Sequence, residues 1–185
     1  MMSKKIKKYD IHSQLKLPFL ETNQDFLNDI FRILELNFGL KRRSKQKLID
    51  LGSGNGRVII YSALTYGIKS VGIEINENLV KEAKSNVKSV KSKNSSDKKD
   101  IKQIQIVSGD FFQYSLVRYD YIYIFSLPTM HEFLQHVFHT ARTGATIISH
   151  KYPLTQKFFT SLRLDYTLKH DVENPEISTY YYTKF

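Results

Sequence analysis

At 185 residues, with 41% hydrophobic positions that include 12 Tyr and 12 Phe, the chain has the length of one domain and enough apolar matter for a sizeable core. The absence of cysteine excludes disulfides, thiolate zinc centres and a cysteine nucleophile, and no apolar run approaches the ~18 residues of a membrane span, so a reducing, cytoplasmic setting is expected. A formal net charge of +10 fits an acidic partner (nucleic acid, an acidic protein surface or a lipid headgroup) or nothing more than solubility.

In chain order, residues 1–16 read as a basic, poorly structured tail ahead of a single domain over 17–185. Lys4, Lys5, Lys7 and Lys8 are not followed by the apolar stretch of a secretory signal, and a transit peptide would be rich in Arg and Ser. From Asn23, the positions Phe26, Leu27, Ile30, Phe31, Ile33 and Leu34 recur at helical spacing until Gly39. A basic loop over 41–47 then leads into a first strand over 47–51. That strand carries Asp50 at its end; Gly52, Gly54 and Gly56 follow at alternate positions with Ser53 between them, and a helix over 55–66 begins at once. Glycine suits a turn that needs positive φ and lies flat against a ligand, and the helix start offers free N–H groups. The spacing is G-x-G-x-G, not the G-x-G-x-x-G of dinucleotide folds, and no Gly-Lys-Ser/Thr follows as in a P-loop. So compact a turn suits a ligand without phosphates, an amino-acid head beside an adenosine: S-adenosylmethionine (SAM).

A second strand over 70–74 ends in Glu74, followed by Ile75 and Asn76. An acid at this tip accepts hydrogen bonds from both ribose hydroxyls in nucleoside-binding doubly wound folds, and a carboxylate is acceptor-only. A helix is expected over 76–90. The stretch 92–100 has no apolar residue and reads as a mobile surface insert near 91–100. The third strand, 103–107, leads into Gly109, Asp110 and Phe111, where an acid can pair with an adenine amino group and apolar neighbours can cover the ring. A fourth, central strand over 119–125 ends at Ser126-Leu127-Pro128; a helix carrying Phe133, Leu134, Val137, Phe138 and Ala141 closes at Gly144; a fifth strand occupies 145–149, with His150 just past its tip. Residues 164–172 and 177–184 read as an antiparallel hairpin joined by 173–176. The fold class is therefore α/β: a Rossmann-like doubly wound sheet, mostly parallel, with a C-terminal antiparallel hairpin and its ligand at the carboxyl ends of the strands.

On these residues the chain resembles the seven-strand, class I SAM-dependent methyltransferases, and more narrowly the small archaeal protein-lysine methyltransferases and their mitochondrial relatives. The likeness covers roughly 17–155. The group's Asp-Leu-Gly-x-Gly-x-Gly-Arg matches Asp50 to Arg57 in full, its Gly-x-Glu-Ile matches Gly72 to Ile75, its Gly-Asn/Asp-Phe/Leu-Phe matches Gly109 to Phe112, and its Val-Ser-His matches Ile148-Ser149-His150. Its Leu-Leu-Pro strand end looks like Ser126-Leu127-Pro128. Where the group opens on Pro-Tyr-Val-Pro-Thr, this chain has Pro18-Phe19-Leu20-Glu21-Thr22. The acid that often follows the group's His is replaced by Lys151. The segment from Ile148 to Pro153 also looks a little like that of the non-SET histone-lysine methyltransferases. The resemblance implies a lysine acceptor on a protein substrate, with SAM held by Phe19, Thr22, Asp50, Gly52, Ser53, Gly54, Gly56, Glu74, Ile75, Asn76, Gly109, Asp110, Phe111 and Ser126. The acceptor side is expected at Ser126, Leu127, Pro128, His150 and Tyr152.

No catalytic side chain is singled out. Positioning alone supplies several kcal/mol in a methyl transfer whose donor is already activated. The Asn/Asp-Pro-Pro-Tyr/Phe motif of enzymes that methylate planar amide or base nitrogens is absent after the fourth strand. Tyr123 either lines the acceptor channel or alternates into the sheet, and His150 either handles a proton or is a strand-end imidazole bonded to backbone. His131, His136 and His139 share a helix, but no acid or Cys completes a zinc set. An RNA or small-molecule methyltransferase, and a SAM-binding protein without turnover, are the competing functions.

Overall fold

The computed structural model describes residues 22–93, 98–170 and 177–185. The basic tail, Phe19 and the hairpin connection at 173–176 lie outside the described residues. The first helix, α1 (Gln24–Asn37), starts where the Asn23 side chain accepts the Asp25 N–H at 3.1 Å, and buries Leu27, Ile30, Phe31 and Leu34 along one stripe. It ends before Gly39, whose φ is +67°.

Seven strands form one sheet: β1 (Lys47–Leu51), β2 (Lys69–Glu74), β3 (Ile104–Ser108), β4 (Tyr121–Ile124), β5 (Thr146–His150), β6 (Leu162–Lys169) and β7 (Ser178–Lys184). Their order is β3-β2-β1-β4-β5-β7-β6. The first five run parallel; β7 is antiparallel to both β5 and β6. This is the doubly wound sheet with a closing hairpin that the sequence predicts. Successive residues point to opposite faces, so each central strand feeds two cores. Leu48, Tyr121, Tyr123, Ile148 and Tyr181 pack with α1 and with α2 (Arg57–Tyr61); Ile49, Ile122, Ile124, Ile147 and Tyr182 pack on the other face with Leu134, Val137 and Phe138 of α5 (His131–His139).

Three boundaries differ from expectation for local reasons. The helix expected over 55–66 is α only to Tyr61, then widens into a π turn over Ser62–Tyr66. The wider turn keeps Ser62, Ala63 and Tyr66 all buried, with the Ser62 hydroxyl accepting from Ser70 at 3.0 Å. The next helix, α3 (Glu77–Lys93), runs into the polar stretch, and a one-turn helix α4 (Lys98–Ile101) follows, anchored by buried Ile101. Residues 94–97 lie outside the described residues. His150 is the last residue of β5, not a residue beyond it.

Candidate active site

The site is assembled where β1, β2 and β3 end. Gly52, Gly54 and Gly56 take φ of +80°, +53° and +81°, a left-handed path that other L-residues follow only at a cost of about 1–2 kcal/mol each. The turn is pinned to the neighbouring strand, since the N–H groups of Gly52 and Ser53 both donate to the Ile73 carbonyl at 2.9 Å. This brings the turn against Glu74. One carboxylate oxygen, Oε2, accepts the Gly54 N–H at 2.8 Å, and the other, Oε1, accepts the Asn76 N–H at 2.8 Å. Glu74 is 7% exposed, and each oxygen keeps a lone pair beyond the one so used. The Glu74 carbonyl in turn accepts the Gly109 N–H at 2.9 Å, which draws the β3 tip alongside.

Asp110 caps the short turn Phe111–Gln113, its Oδ1 accepting the Phe112 N–H at 2.9 Å. The Phe111 ring then faces the glycine turn: a Cβ built on Gly52 meets only Phe111 Cε1, at 3.9 Å. Gly52, Ser53, Gly54, Glu74, Asn76, Gly109, Asp110 and Phe111 thus converge, while Ile75 stands 53% exposed at the rim. Asp50 lies 3% exposed beneath the turn. Burial, and then the charge of Glu74, push its carboxyl up to about 8. A cation placed there reverses that shift.

One residue that the motif reading passes over sets the whole arrangement. A Cβ on Gly72 would fall 2.5 Å from Ser53 Oγ, 2.7 Å from Ser53 Cβ and 2.8 Å from Ile59 Cδ1. Gly72 is the floor on which the turn rests. Its signal in the sequence is its place two residues before Glu74.

The tips of β4 and β5 form the other half. The Tyr123 hydroxyl and Thr22 Oγ1 are hydrogen-bonded at 2.7 Å, and Arg57, at the foot of the glycine turn, donates to the Thr22 carbonyl at 3.3 Å. Ser126 is 4% exposed, and its Oγ has no partner among the described residues; the same holds for Ser53 Oγ. Leu127 is half-buried and Pro128 is exposed, opening the turn Pro128–Met130. After β5 the chain reverses sharply: Lys151 has φ +70°, its N–H donates to the Ser178 carbonyl at 2.7 Å, and Ser149 Oγ donates to the Tyr152 carbonyl at 2.7 Å. Tyr152 is half-buried, its ring 6.4 Å from Phe125.

His150 is buried among Phe26, Tyr123 and Phe125. Its Nδ1 shares a 2.8 Å hydrogen bond with Thr179 Oγ1, which also meets His170 Nε2 at 2.7 Å. The partner is therefore a side chain and not the backbone. Burial, with His170 and Lys151 adding, holds the imidazole down to about 3, so it is neutral at physiological pH and a poor proton acceptor there. The other three histidines do not gather. His131 Nδ1 accepts the Thr155 N–H at 3.2 Å, His136 Nε2 donates to the Phe112 carbonyl at 3.1 Å, and His139 is exposed.

Residues 50–158 match the family model described as the ANTKMT methyltransferase domain. The chain belongs to that family. The matched span starts at Asp50 and includes the glycine turn, Glu74, Asp110, Ser126, His150 and Tyr152, but not Thr22. Over 108 residues the chain is 30% identical to a protein-lysine N-methyltransferase of Saccharolobus islandicus, covering 57% of this chain and 62% of that one. Over 64 residues it is 38% identical to an ATP synthase lysine N-methyltransferase of Caenorhabditis elegans, covering 35% of this chain and 33% of that one. The matched region thus spans less than two thirds of either curated relative. Among solved structures, an RNA methyltransferase from Salinibacter ruber in complex with S-adenosyl-L-homocysteine superposes with a TM-score of 0.70 at 26% identity, covering 89% of this chain and 94% of that one. The fold is that of the class I methyltransferases.

Proposed function

We propose that this protein is a SAM-dependent protein-lysine N-methyltransferase. The observation that carries the reading is Glu74: a buried, acceptor-only carboxylate locked beside three left-handed glycines, with one lone pair on each oxygen left for a vicinal diol. The residues fit the cofactor in other ways. Gly52 opens onto Phe111, which can cover a flat ring, and Asp50 is a buried acid that gains from a neighbouring ammonium. When bound, SAM supplies an activated methyl group on a sulfonium, which passes to the acceptor nitrogen by in-line displacement.

The chain's own part is to position and to exclude water. Glu74 orients the ribose and Asp110 the adenine amino group. Tyr123, Phe125 and Tyr152 give the acceptor side an apolar, aromatic wall that disfavours an ammonium, so a lysine whose ordinary pKa is ~10.4 loses its proton more readily there. The partnerless Ser126 Oγ is poised to orient the neutral amine. His150, neutral and bonded to Thr179, holds the wall and leaves the proton to solvent.

Two lysine methyltransferases among the relatives, and the missing Asn/Asp-Pro-Pro-Tyr/Phe motif, support lysine over a planar nitrogen. The Salinibacter neighbour favours RNA as the second reading. A cysteine-free chain suits the cytoplasm, and no helix among the described residues is long and apolar enough to cross a membrane. The test is to incubate the protein with a mixed lysate and methyl-labelled SAM, then digest. Label released by protease and recovered as methyl-lysine supports the proposal. Label released by nuclease overturns it in favour of RNA, and no incorporation overturns it in favour of binding without turnover.

A further inference from the structure

The positive charge is concentrated at the end of the sheet opposite the site. In the order β3-β2-β1-β4, each strand is entered through a cation: Lys102 two residues before β3, Lys69 at the start of β2, Lys47 at the start of β1 and Arg118 three residues before β4. Lys47 and Lys69 are register partners, the Ser70 N–H donates to the Gln103 carbonyl, and the Asp120 N–H donates to the Lys47 carbonyl. The four strand starts therefore lie side by side, about 4.8 Å apart. Lys41 and Lys45, both exposed, extend the row from the loop before β1. The acids nearest the row are already engaged: Glu35 with Arg42 at 3.3 Å, Asp100 with Arg43 at 3.8 Å and Asp120 with Arg142 at 2.5 Å. None of the six other cations forms an ion pair among the described residues.

Apolar side chains stand out of the same end. Leu36, at the end of α1, is 67% exposed, and Val117, beside Arg118, is 52% exposed. Phe185 is 61% exposed, where the Lys184 N–H donates to the Ala145 carbonyl ahead of β5. Cations alone suit any polyanion. Cations among exposed aliphatic groups suit a bilayer, because phosphates of nucleic acid have no use for Leu36 or Val117, whereas the headgroup–acyl boundary takes them in. The row also lies a full strand length, roughly 16 Å, from the strand tips, so it does not lead a nucleic-acid strand to Glu74 or Ser126.

We propose that this end of the sheet is a docking face for an anionic lipid surface, on which the protein rests with its active site turned towards water. The test is co-sedimentation of the full chain with phosphatidylcholine vesicles, with and without phosphatidylserine. Binding only to the anionic vesicles, weakening as salt rises, is expected. The triple variant K69E/K102E/R118E is expected to lose at least a hundredfold in partitioning, at about fivefold per cation. Leu36→Asn with Val117→Asn is expected to lose severalfold while keeping the salt dependence. Thermal midpoints of the variants check that they fold; should the triple variant not fold, the lipid and salt dependence of the unaltered chain decides. Equal sedimentation with neutral vesicles, no sedimentation with either, or retention on an RNA oligonucleotide at a salt concentration that frees the vesicles would each overturn the assignment.

Discussion

Glu74→Gln separates the two tasks given to this side chain. Glutamine is nearly isosteric but presents one oxygen and one NH2. Both carboxylate oxygens of Glu74 receive backbone N–H groups at 2.8 Å, from Gly54 and from Asn76. Whichever way the amide turns, its NH2 meets one of those donors head-on in a position only 7% exposed. A lost bond and a buried donor without an acceptor cost about 1–3 kcal/mol of stability. The ribose then finds a single neutral oxygen where it had two charged ones. Losing one charge-assisted bond removes about 1.5–3 kcal/mol of binding, a weakening of roughly 10- to 150-fold. Denaturant unfolding of the free protein reads the first quantity, and calorimetric titration with S-adenosyl-L-homocysteine reads the second. A variant that loses stability yet binds with unaltered affinity refutes the ribose assignment and leaves Glu74 as a clamp on the glycine turn. A variant unchanged in both refutes the hydrogen bonding described above.

Gly72→Ala is expected to cost about 1–3 kcal/mol of stability and to weaken S-adenosyl-L-homocysteine binding at least tenfold, because its Cβ lands 2.5–2.8 Å from Ser53 and Ile59 and must lift the turn. Gly144→Ala is the control: its φ of +82° makes the substitution strained by about 1–2 kcal/mol, but the nearest atom is Arg142 Nη1 at 3.7 Å, far from the site, so affinity should hold. Equal losses of affinity in the two variants would sink the argument. Asp50 predicts a pH dependence of defined sign. Its carboxyl is pushed up to about 8 in the folded chain and is ordinarily near 3.8, so between those values the folded state binds more protons and stability falls as pH rises. The penalty is absent below about pH 4 and full above about pH 8, with a slope of at most ~1.4 kcal/mol per pH unit. Asp50→Asn removes the titration, so its stability relative to the unaltered chain should improve steadily from pH 5 to pH 8; a pH-independent difference in urea midpoints rejects the assignment.

What the sequence made legible is what is written locally. The strand–acid–glycine pattern from Leu48 to Arg57, the acid at Glu74 and the Gly109-Asp110-Phe111 turn each state their conformation within a few residues, and strand tips of a parallel sheet meet by topology. The contacts that span the chain were not legible. Tyr123 and Thr22 are 101 residues apart, and the Thr179 hydroxyl that joins His150 to His170 arrives on the antiparallel β7. Gly72 stood in a recognised motif, yet its reason is Ser53 and Ile59, which only strand register brings above it. Charge was the most misleading. As linear runs it sits at 1–8, 41–47 and 81–102, whereas the folded row also draws single cations, Lys69 and Arg118, that belong to no run.

The two halves of the site differ in what holds them. The cofactor half is backbone and buried carboxylate: left-handed glycines, paired N–H donors and Glu74 leave little freedom once β1, β2 and β3 are in register. The acceptor half is side chain on side chain, with Phe125 against His150, Tyr152 over Phe125 and a Ser126 hydroxyl lacking any partner among the described residues. Thr22 links them, its hydroxyl on Tyr123 of β4 and its carbonyl on Arg57 beneath the glycine turn. A half made by backbone geometry suits a ligand that never changes. A half made by packed aromatic rings can be recut by substitution without disturbing the other, so acceptor choice within this family is free to vary over a constant cofactor cradle, and the residues to compare between members are Ser126, Leu127, Lys151 and Tyr152 rather than the glycines.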